Sequence, residues 1–341
     1  RCGHRAMARR RALLLAVCCS LGSAYGFVTR AAVSVQQRSA RARCLPQLNV
    51  QNLRPVSPSL PGIYRSAAFE QATEADAALL LDGLRIRTVL DLRSQDEIDK
   101  ALAAATPAGR ALFNAYADGA PVGPGQLASE GTGRLRRVHV PLLADVDAFW
   151  NEVATRLPPA KKAEAMLYRS VDGKRYDRLL YEELPRQGHS LLYTCMLRSA
   201  GPAAWGEALA CAAERAGGGV LVHCAKGKDR TGVLCALLQH AAGDGEQQIV
   251  AEYAASAAQL SEDAAVLPTP QMPWQRRGRS EPQERAADGP VDWSALRGSP
   301  AKAMQDTLAW VRQEYGAVDA FLEGAGADEA WRRTLLSRNS R

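Results

Sequence analysis

Residues Gly217–Gly232 read G-G-G-V-L-V-H-C-A-K-G-K-D-R-T-G. Val220–Val222 form a short apolar run typical of a buried strand, and apolar residues resume at helical spacing from Val233. Cys224 therefore lies where a parallel strand gives way to a helix N-terminus. The five residues between Cys224 and Arg230 can curl so that their N–H groups converge, and the helix dipole adds positive potential there. The sequence predicts a cup for a phosphate dianion, and the same field favours the thiolate form of the cysteine.

This stretch resembles a known signature. His223, Cys224, Gly227, Arg230 and Thr231 match the H-C-x-x-G-x-x-R-T motif of the cysteine-dependent protein tyrosine phosphatase superfamily. The fuller form H-C-x-x-G-K-D-R-T-G is similar to that of the atypical bacterial and fungal members, which act on phosphoproteins or phosphoinositides. The resemblance implies a phosphoric monoester hydrolase with a phosphocysteine intermediate. A protein tyrosine or dual-specificity phosphatase is the first expectation.

Lysines of the loop bear on the choice of substrate. Lipid phosphatases of the phosphatase-and-tensin type keep the lysine that corresponds to Lys228, but their second lysine directly follows the cysteine. Here Ala225 stands at that position, and Lys226 comes one residue later. Two ammonium groups beside the cup favour a substrate with additional negative charge. A phosphoinositide phosphatase is therefore one alternative function, and a non-catalytic phosphate-binding module is the other.

The resemblance implies distinct roles within the loop. Cys224 attacks phosphorus, Arg230 binds two equatorial oxygens through its planar fork, and Thr231 hydrogen-bonds the sulfur when it leaves. Asp229 is the first candidate for the general acid, with a purely structural role as its alternative. The expected phosphate-binding residues are Ala225, Lys226, Gly227, Lys228, Asp229 and Arg230. No metal and no cofactor are expected, because Arg230 and the loop amides supply the positive charge.

Supporting residues are expected outside the loop. His223 either orients the loop and favours the thiolate or is only a buried residue at a strand end. Asp91 and Arg93 belong to a D-L-R-S stretch that resembles the family, and they either form an ion pair that supports the loop or contact substrate. Asp145 and Asp147 stand where tyrosine phosphatases commonly carry the general-acid aspartate, although the usual W-P-D is absent. These two aspartates are the alternative general acids.

The order of apolar runs predicts an α/β fold with a central, mostly parallel sheet flanked by helices. Asn52–Ser66 resembles the opening of the family, and Tyr315–Leu322 resembles its C-terminal segment. Helical periodicity over residues 162–216 predicts a helical insert before the strand that leads to the cysteine. Residues 51–341 are thus expected to form the phosphatase domain. The proline-rich residues 266–300 are expected to form a flexible insertion in it.

Positive charge is concentrated at the N-terminus. The 341 residues carry a net charge of +7. Residues 1–69 contain eleven arginines and no acidic residue, so residues 70–341 carry a net charge of −4. Apolar residues make up 47% of the chain, enough for a substantial core. No basic stripe with interleaved aromatic residues occurs outside residues 1–50, so nucleic-acid binding is not expected.

The N-terminal segment has the pattern of a signal peptide. Met7 is followed by three arginines and an apolar run that ends at Leu21, and small residues stand at Ala24 and Gly26. The apolar run is too short to span a bilayer, and no transmembrane segment is expected. A signal peptide of about residues 7–26 is therefore predicted, with an unprocessed tail as its alternative.

A second targeting signal is predicted directly after the first. Residues 27–50 begin with Phe27 and hold arginine, serine and alanine but no acid, which is transit-peptide composition. The pair resembles the two-part targeting sequence of algae with complex plastids. Residues 1–50 are therefore expected to form a cleaved leader that directs the protein to the plastid through the secretory pathway. Secretion, or retention in the endomembrane lumen, is the alternative.

Overall fold

A computed structural model describes residues 48–117, 135–214, 218–260 and 291–337 of the chain. Its strands are β1 (Arg54–Pro55), β2 (Ile63–Ser66), β3 (Ile86–Asp91), β4 (Arg136–His139) and β5 (Gly219–His223). They form a sheet in the order β1-β2-β5-β3-β4. β1 is antiparallel to β2, and the other neighbours are parallel. The predicted α/β fold with a mostly parallel sheet is confirmed.

The central strand β5 is buried along its whole length, because hydrophobic clusters lie on both faces of the sheet. Leu221 packs in one cluster, and its neighbours in β5 pack in the other, as the alternation of a strand requires. The pairing sets Ser66 of β2 and Asp91 of β3 level with His223. Three parallel strands therefore end together where residues 224–230, the cysteine loop, begin.

Three helices connect the first strands. They are α1 (Glu74–Ala78), which a single π turn (Leu79–Gly83) extends, α2 (Gln95–Ala103) and α3 (Pro107–Ala117). Thr73 caps α1, and Ser94 caps α2. Both form capping boxes, in which Asp76 and Glu97 return hydrogen bonds to the backbone of the cap residue. The box at Ser94 fixes the position of Glu97 beside the end of β3.

The predicted helical insert lies between β4 and β5. Its helices are α4 (Val146–Thr155), α5 (Pro159–Val171) and α6 (Gly173–Glu214). The long helix α6 is broken at Gly188 and Gly201, whose φ angles of 74° and 71° lie in the left-handed region. Pro202 reinforces the second break, because a proline disfavours helical geometry in the residue before it. The breaks divide α6 into shorter segments, the middle of which carries His189 and Tyr193.

Helices also follow the cysteine loop. They are α7 (Asp229–Ala241), α8 (Glu246–Ala254), α9 (Ser256–Gln259), a short 3-10 turn (Ser294–Leu296), α10 (Ala301–Tyr315), α11 (Val318–Gly324) and α12 (Glu329–Ser337). The prediction of a flexible insertion over residues 266–300 needs correction at its end. Leu296 and Ser299 are buried, and the ring of Trp293 contacts that of Tyr181 with centroids 4.5 Å apart. The composition of the segment did not indicate that Trp293 and Leu296 pack against the folded part as apolar anchors.

The predicted leader lies outside the described residues, except for its last three positions. Val50 is buried, and the backbone N–H of Asn49 donates to Asp76 at 3.2 Å. The folded part therefore includes at least Asn49 and Val50, which the sequence placed in the leader. Residues 118–134 and the greater part of the predicted insertion, residues 266–290, also lie outside the description. Among the described residues, no helix combines the length and apolar character needed to cross a membrane.

Candidate active site

The cysteine loop is held from its outer side by three carbonyl groups. The Ala225 carbonyl accepts from the Ala68 N–H at 3.1 Å, and the Lys226 carbonyl accepts from the Asn52 side chain at 3.3 Å. The Gly227 carbonyl accepts from Asn52 at 2.8 Å and from Arg65 at 2.6 Å. A trans peptide places its N–H opposite its carbonyl. The N–H groups that follow these carbonyls therefore point to the inner side of the loop, as a phosphate cup requires.

Gly227 is required for this shape. Its φ of +62° lies in the left-handed region, and a Cβ at this position would stand 2.0 Å from the Ser66 carbonyl oxygen. Gly232 has a different reason, because an added Cβ would stand 2.9 Å from the ring of Tyr253. The first glycine allows the loop to pass close to the end of β2, and the second allows α7 to pack against α8.

Arg230 is fully buried, and part of its guanidinium is already engaged. Its Nη1 and Nη2 donate to the two oxygens of Glu97 at 2.6 Å each, and Nη1 also donates to the Leu92 carbonyl at 3.3 Å. Arginine has five N–H donors, so the Nε–H and one Nη2–H are left over, side by side on one edge. Nε is a buried atom without a partner among the described residues. That edge can grip two oxygens of an oxyanion.

Glu97 remains ionised beside this arginine. Burial alone would raise the pKa of the Glu97 carboxyl, but the charge and hydrogen bonds of Arg230, with hydrogen bonds from Ser94, lower it to about 2. The carboxylate thus orients the guanidinium and leaves its other edge to a ligand. The contact between Glu97 and Arg230 was not predicted from the sequence. A capping box next to the D-L-R-S stretch was the signal available.

A second buried arginine supports the loop from outside. Arg65 donates to the Gly227 carbonyl at 2.6 Å and forms an ion pair with Glu252 of α8, also at 2.6 Å. Arg54 binds the other oxygen of Glu252 at 2.9 Å. Both arginines lie in the Asn52–Ser66 stretch that resembles the family opening, but no role was predicted for them or for Glu252. Their contacts tie β1, β2 and α8 to the cysteine loop.

Asp91 and Arg93 form a buried ion pair at the end of β3. Arg93 donates through Nε and Nη2 to the two oxygens of Asp91 at 2.9 Å each, and through Nη2 to Glu70 at 2.6 Å. Arg137 of β4 also reaches Asp91, at 3.0 Å. Burial opposes the ionised carboxyl, but the arginines hold the pKa of Asp91 well below its usual range. This pair connects β3, β4 and the segment after β2.

His223 is neutral at physiological pH. It is fully buried, its ring lies 5.1 Å from that of Phe69, and its Nε2 is 3.7 Å from Asp91. Burial lowers the pKa of His223 to about 4, although Asp91 opposes the change. Its Nδ1 lies 3.4 Å from the Cys224 carbonyl oxygen. A neutral imidazole can orient the loop through such contacts, but it adds no positive charge beside the sulfur.

Asp229 and Lys228 belong to a buried polar cluster under the insert. Tyr193 of α6 donates to Asp229 Oδ1 at 2.6 Å and shares a 2.6 Å hydrogen bond with Tyr253 of α8. Lys228 lies 2.9 Å from the same oxygen and 3.2 Å from Nε2 of His189. The Lys228 ammonium, which the sequence assigned to phosphate, is thus already engaged. Asp229 Oδ2, by contrast, is buried and has no partner among the described residues.

These contacts fix the protonation of the cluster. Burial would raise the pKa of Asp229, but Lys228 and Tyr193 lower it, so the carboxyl is ionised. Burial and the charge of Lys228 lower the pKa of His189 to about 4, so its imidazole is neutral. Burial and the charge of Asp229 raise the pKa of Tyr193 well above its usual value, so its hydroxyl stays a donor.

The other predicted residues are placed as follows. Thr231 is buried, and its hydroxyl has no partner among the described residues. Lys226 is half-buried, and burial lowers its pKa, with Cys224 opposing. Asp145 is exposed and caps α4 by accepting from the Ala148 N–H at 2.8 Å. Asp147 is exposed in the first turn of the same helix.

Cys224 is distinguished from the other described cysteines by its surroundings. All four are buried and free of disulfides. Burial raises the pKa of Cys195, Cys211 and Cys235 to about 12 each, so these three are neutral thiols. Only Cys224 lies in the cysteine loop, at the end of β5. Among the described residues, no group of three or more histidine, cysteine or acidic side chains is arranged to hold a metal ion.

Comparison with known proteins assigns the family. A model described as the tyrosine phosphatase family matches residues 56–338. The chain therefore belongs to the tyrosine phosphatase family. It is also 33% identical over 112 residues to a tyrosine-protein phosphatase of Nostoc commune. That match covers 33% of this chain and 36% of the Nostoc protein, so the chain spans about a third of the curated relative.

Proposed function

We propose that the protein hydrolyses phosphomonoesters through a phosphocysteine intermediate, with Cys224 as the nucleophile. The observation that carries this proposal is the free edge of Arg230. Glu97 holds one edge of the guanidinium, and the Nε and Nη2 edge keeps two donors in a fully buried position. A buried donor without a partner costs about 1–3 kcal/mol, so an arrangement that keeps one favours a ligand at that point. Phosphate oxygens suit this edge.

In the first step, Cys224 Sγ attacks phosphorus as a thiolate. The S–P bond forms while the P–O bond to the leaving group breaks, and the electron pair of that bond stays on the leaving oxygen. The loop N–H groups and the free edge of Arg230 stabilise the charge on the equatorial oxygens. The shape of the loop is set beforehand by Asn52, Arg65 and Ala68, so substrate binding requires little rearrangement of it.

In the second step, water attacks the phosphocysteine. The S–P bond breaks and its electron pair returns to sulfur as a thiolate, while inorganic phosphate leaves with the oxygen and both protons of the water. Thr231 follows Arg230 at the start of α7, and its hydroxyl is buried without a partner. A hydrogen bond from this hydroxyl to sulfur stabilises the departing thiolate. Thr231 thus acts in the second step more than in the first.

Asp229 is the proposed proton donor for the leaving oxygen. Its Oδ1 is held by Tyr193 and Lys228, and its Oδ2 remains available. Because Asp229 is ionised in the free protein, it needs a proton before it can act as an acid. A monoanionic phosphate monoester brings that proton, which passes to Oδ2 on binding and then to the leaving oxygen. Asp145 is less well placed for this role, because it already caps α4.

We propose phosphorylated proteins, with phosphotyrosine first, as the substrate class. A single half-buried lysine, Lys226, is left beside the cup, because the ammonium of Lys228 is engaged by Asp229 and His189. This weakens the argument for a multiply charged phosphoinositide. A panel of phosphopeptides and phosphoinositides at equal concentration tests the assignment. Higher kcat/KM for the phosphoinositides would favour the lipid phosphatase instead.

Replacement of the nucleophile tests the activity itself. Cys224→Ser should lower phosphate release from an aryl phosphate by roughly 10⁴-fold or more, because a serine hydroxyl stays neutral where a thiol can ionise. Binding of tungstate, measured by calorimetry, should survive, since the cup is unchanged. Cys211→Ala is the matched control and should keep full activity. Substantial activity in Cys224→Ser would contradict the mechanism, and a wild-type protein that binds tungstate without turnover would be a phosphate-binding module.

We further propose that residues 7–50 direct the protein to a complex plastid through the secretory pathway. The support is their sequence pattern alone: an apolar run after three arginines, then an arginine-rich segment without acids that begins at Phe27. A fluorescent protein fused to residues 7–50 should enter the plastid of an algal cell. Phe27→Ala should leave the fusion in the endomembrane lumen. A fusion that stays in the cytosol, or is secreted, would contradict plastid delivery.

A further inference from the structure

The outer face of helix α5 in the insert exposes apolar side chains. Met166, Leu167 and Val171 are 73%, 60% and 71% exposed, and Ala165 is the buried residue of the helix. The other large hydrophobic residues that are exposed in the described part of the chain, such as Leu336, reach only 38%. At roughly 100° per residue, Leu167 and Val171 lie within about 40° of each other and Met166 within about 140° of Val171, so the three side chains share one half of the helix surface. The three side chains therefore form an apolar stripe, and clustered exposure of this kind marks a contact surface.

Positive charges border this stripe. Lys162, Arg169 and Lys174 are exposed, and in the described part of the chain their side chains form no ion pair. At roughly 100° per residue, Lys162 and Arg169 lie within about 20° of each other on the helix, next to Met166. Lys174 comes three residues after Val171, just past the end of α5. The stripe is thus flanked by cations at one side and at one end.

We propose that α5 docks on the surface of an anionic lipid membrane. A helix with an apolar stripe beside lysine and arginine lies in the interface, with its apolar residues below the headgroups and its cations at the lipid phosphates. A second copy of the chain fits less well. In a symmetric dimer the same patch meets itself, so the unpaired cations of one copy would face those of the other. Charge complementarity therefore favours anionic lipid.

The docking surface belongs to the insert that also supports the cysteine loop. Helix α6 follows α5 and carries Tyr193 and His189, which contact Asp229 and Lys228 at 2.6 and 3.2 Å. Docking would thus act on the element that covers the polar cluster of the loop. The proposal does not depend on catalysis. Cys224→Ser should bind membranes like the unchanged protein.

Hydrogen exchange of the full-length protein locates the contact. The probe is vesicles of phosphatidylcholine with a minor share of phosphatidylserine, compared with phosphatidylcholine alone. Residues 159–171 should exchange more slowly with the anionic vesicles, and the protection should weaken at high salt. Protection confined to the arginine-rich residues 1–47 would overturn the proposal, as would equal protection by neutral vesicles.

Matched variants identify the side chains. Leu167→Asp combined with Val171→Asp should reduce the protection of residues 159–171 and lower vesicle affinity at least tenfold, because two apolar side chains no longer enter the interface. Leu336→Asp, on α12, is the apolar control and should leave both unchanged. Loss of affinity in the control as large as in the pair would contradict the assignment.

Charge removal tests the lipid chemistry. Lys162→Ala, Arg169→Ala and Lys174→Ala should each weaken binding to anionic vesicles about fivefold, on the basis of roughly 1 kcal/mol per cation near the surface. Lys302→Ala, which removes an exposed lysine of α10, is the control and should have no effect. Sedimentation tests whether the protein instead self-associates through α5. If the double variant Leu167→Asp with Val171→Asp loses self-association but still binds vesicles, the surface is a dimer contact and the proposal fails.

Discussion

The outer and inner sides of the cysteine loop differ in how their polar groups are satisfied. On the outer side, the carbonyl oxygens of Ala225, Lys226 and Gly227 all accept hydrogen bonds from the scaffold. On the inner side, buried polar atoms of Arg230 and Thr231 have no partner among the described residues. The scaffold therefore fixes the shape of the loop, and the inner groups are left to a ligand.

The shape of the loop and the groups that face a ligand are thus supplied by different parts of the protein. The outer contacts come from Asn52, which precedes β1, from β2 and from the segment after β2, and Glu252 of α8 holds Arg65 among them. The inner groups come from the end of the loop and the first turn of α7, with Glu97 of α2 orienting Arg230. Loss of an inner group should lower activity with little effect on stability, whereas loss of an outer group should lower both. Such a cup needs little reorganisation when charge develops in the transition state.

The largest expected effect comes from the inner side. Arg230→Lys should lower kcat/KM for an aryl phosphate by about 10³-fold, because a single ammonium nitrogen cannot reproduce the planar fork that binds two phosphate oxygens on one edge and both oxygens of Glu97 on another. The free energy of unfolding should fall by only about 1 kcal/mol, since Glu97 is partly exposed and can be hydrated. Steady-state kinetics and urea unfolding measure the two quantities. Arg198→Lys, on an exposed part of α6, is the control, and a loss below tenfold in Arg230→Lys would argue against transfer of a phosphoryl group.

The next largest effect is expected on the outer side, where it should appear as lost stability. Arg65→Met removes a fully buried guanidinium that holds Gly227 and Glu252, so the free energy of unfolding should fall by about 3 kcal/mol. Activity should fall with it at temperatures where the variant is still folded, because the loop loses part of its support.

The matched control for Arg65→Met breaks an exposed ion pair that an arginine forms with another glutamate of α8. Arg312 pairs with Glu246 of α8 at 2.7 Å, with side chains 44% and 46% exposed. Arg312→Met should cost less than about 1 kcal/mol and leave kcat/KM unchanged. Urea unfolding of both variants checks the contrast. Equal losses in the two proteins would show that the Arg65 contact has no special role in the loop.

A smaller effect, specific to the leaving group, is expected at Asp229. If this residue is the proton donor, Asp229→Asn should slow hydrolysis of phosphotyrosine and alkyl phosphates by about 10²-fold, and an activated aryl phosphate much less. Asp145→Asn should have almost no effect on catalysis, because that carboxylate caps α4. Kinetics with a series of leaving groups measures both. If the loss of activity depends on the leaving group in Asp145→Asn or Asp147→Asn, while Asp229→Asn slows all substrates alike, the general acid would be assigned to the start of α4.

The sequence allowed much of the fold to be predicted, because the deciding pattern is local. The apolar run before Cys224 and the helical spacing from Val233 define a strand, a loop and a helix in one short stretch that begins at Gly217. The parallel sheet follows, since such a loop stands at the end of a parallel strand. The end of the predicted insertion was wrong because composition was weighed above two apolar anchors, Trp293 and Leu296.

The contacts around the site were less accessible because they join distant parts of the chain. Arg65 meets Glu252 across 187 positions, and Glu97 meets Arg230 across 133. Neither pairing leaves a local periodicity, so each residue looks like an ordinary charged residue. Tyr193 poses the same problem. Its apolar ring fits the helical stripe of the insert, and only the fold shows that its hydroxyl reaches Asp229.

The smallest effect is expected in the pH dependence of stability, to which one histidine beside the loop and one histidine of the insert contribute. His223 and His189 both have a pKa of about 4 in the folded protein, against about 6.5 in an unfolded chain. Between these values the unfolded chain binds more protons, so the free energy of unfolding should fall as the pH drops from about 6.5 towards 4. Each histidine contributes at most about 1.4 kcal/mol per pH unit. Above about pH 7 the contribution should be constant.

Single replacements assign this pH dependence to its source. His223→Gln should reduce the slope between about pH 6.5 and 4, because the glutamine does not titrate, and His189→Gln should reduce it by a similar amount. The matched control is His240→Gln, since His240 is a partly exposed residue at the end of α7, where it lies 3.2 Å from Asp319. Urea unfolding across this pH range measures the slopes. A slope that disappears in His223→Gln alone would place the whole dependence at the cysteine loop, because the insert would then titrate equally in both states.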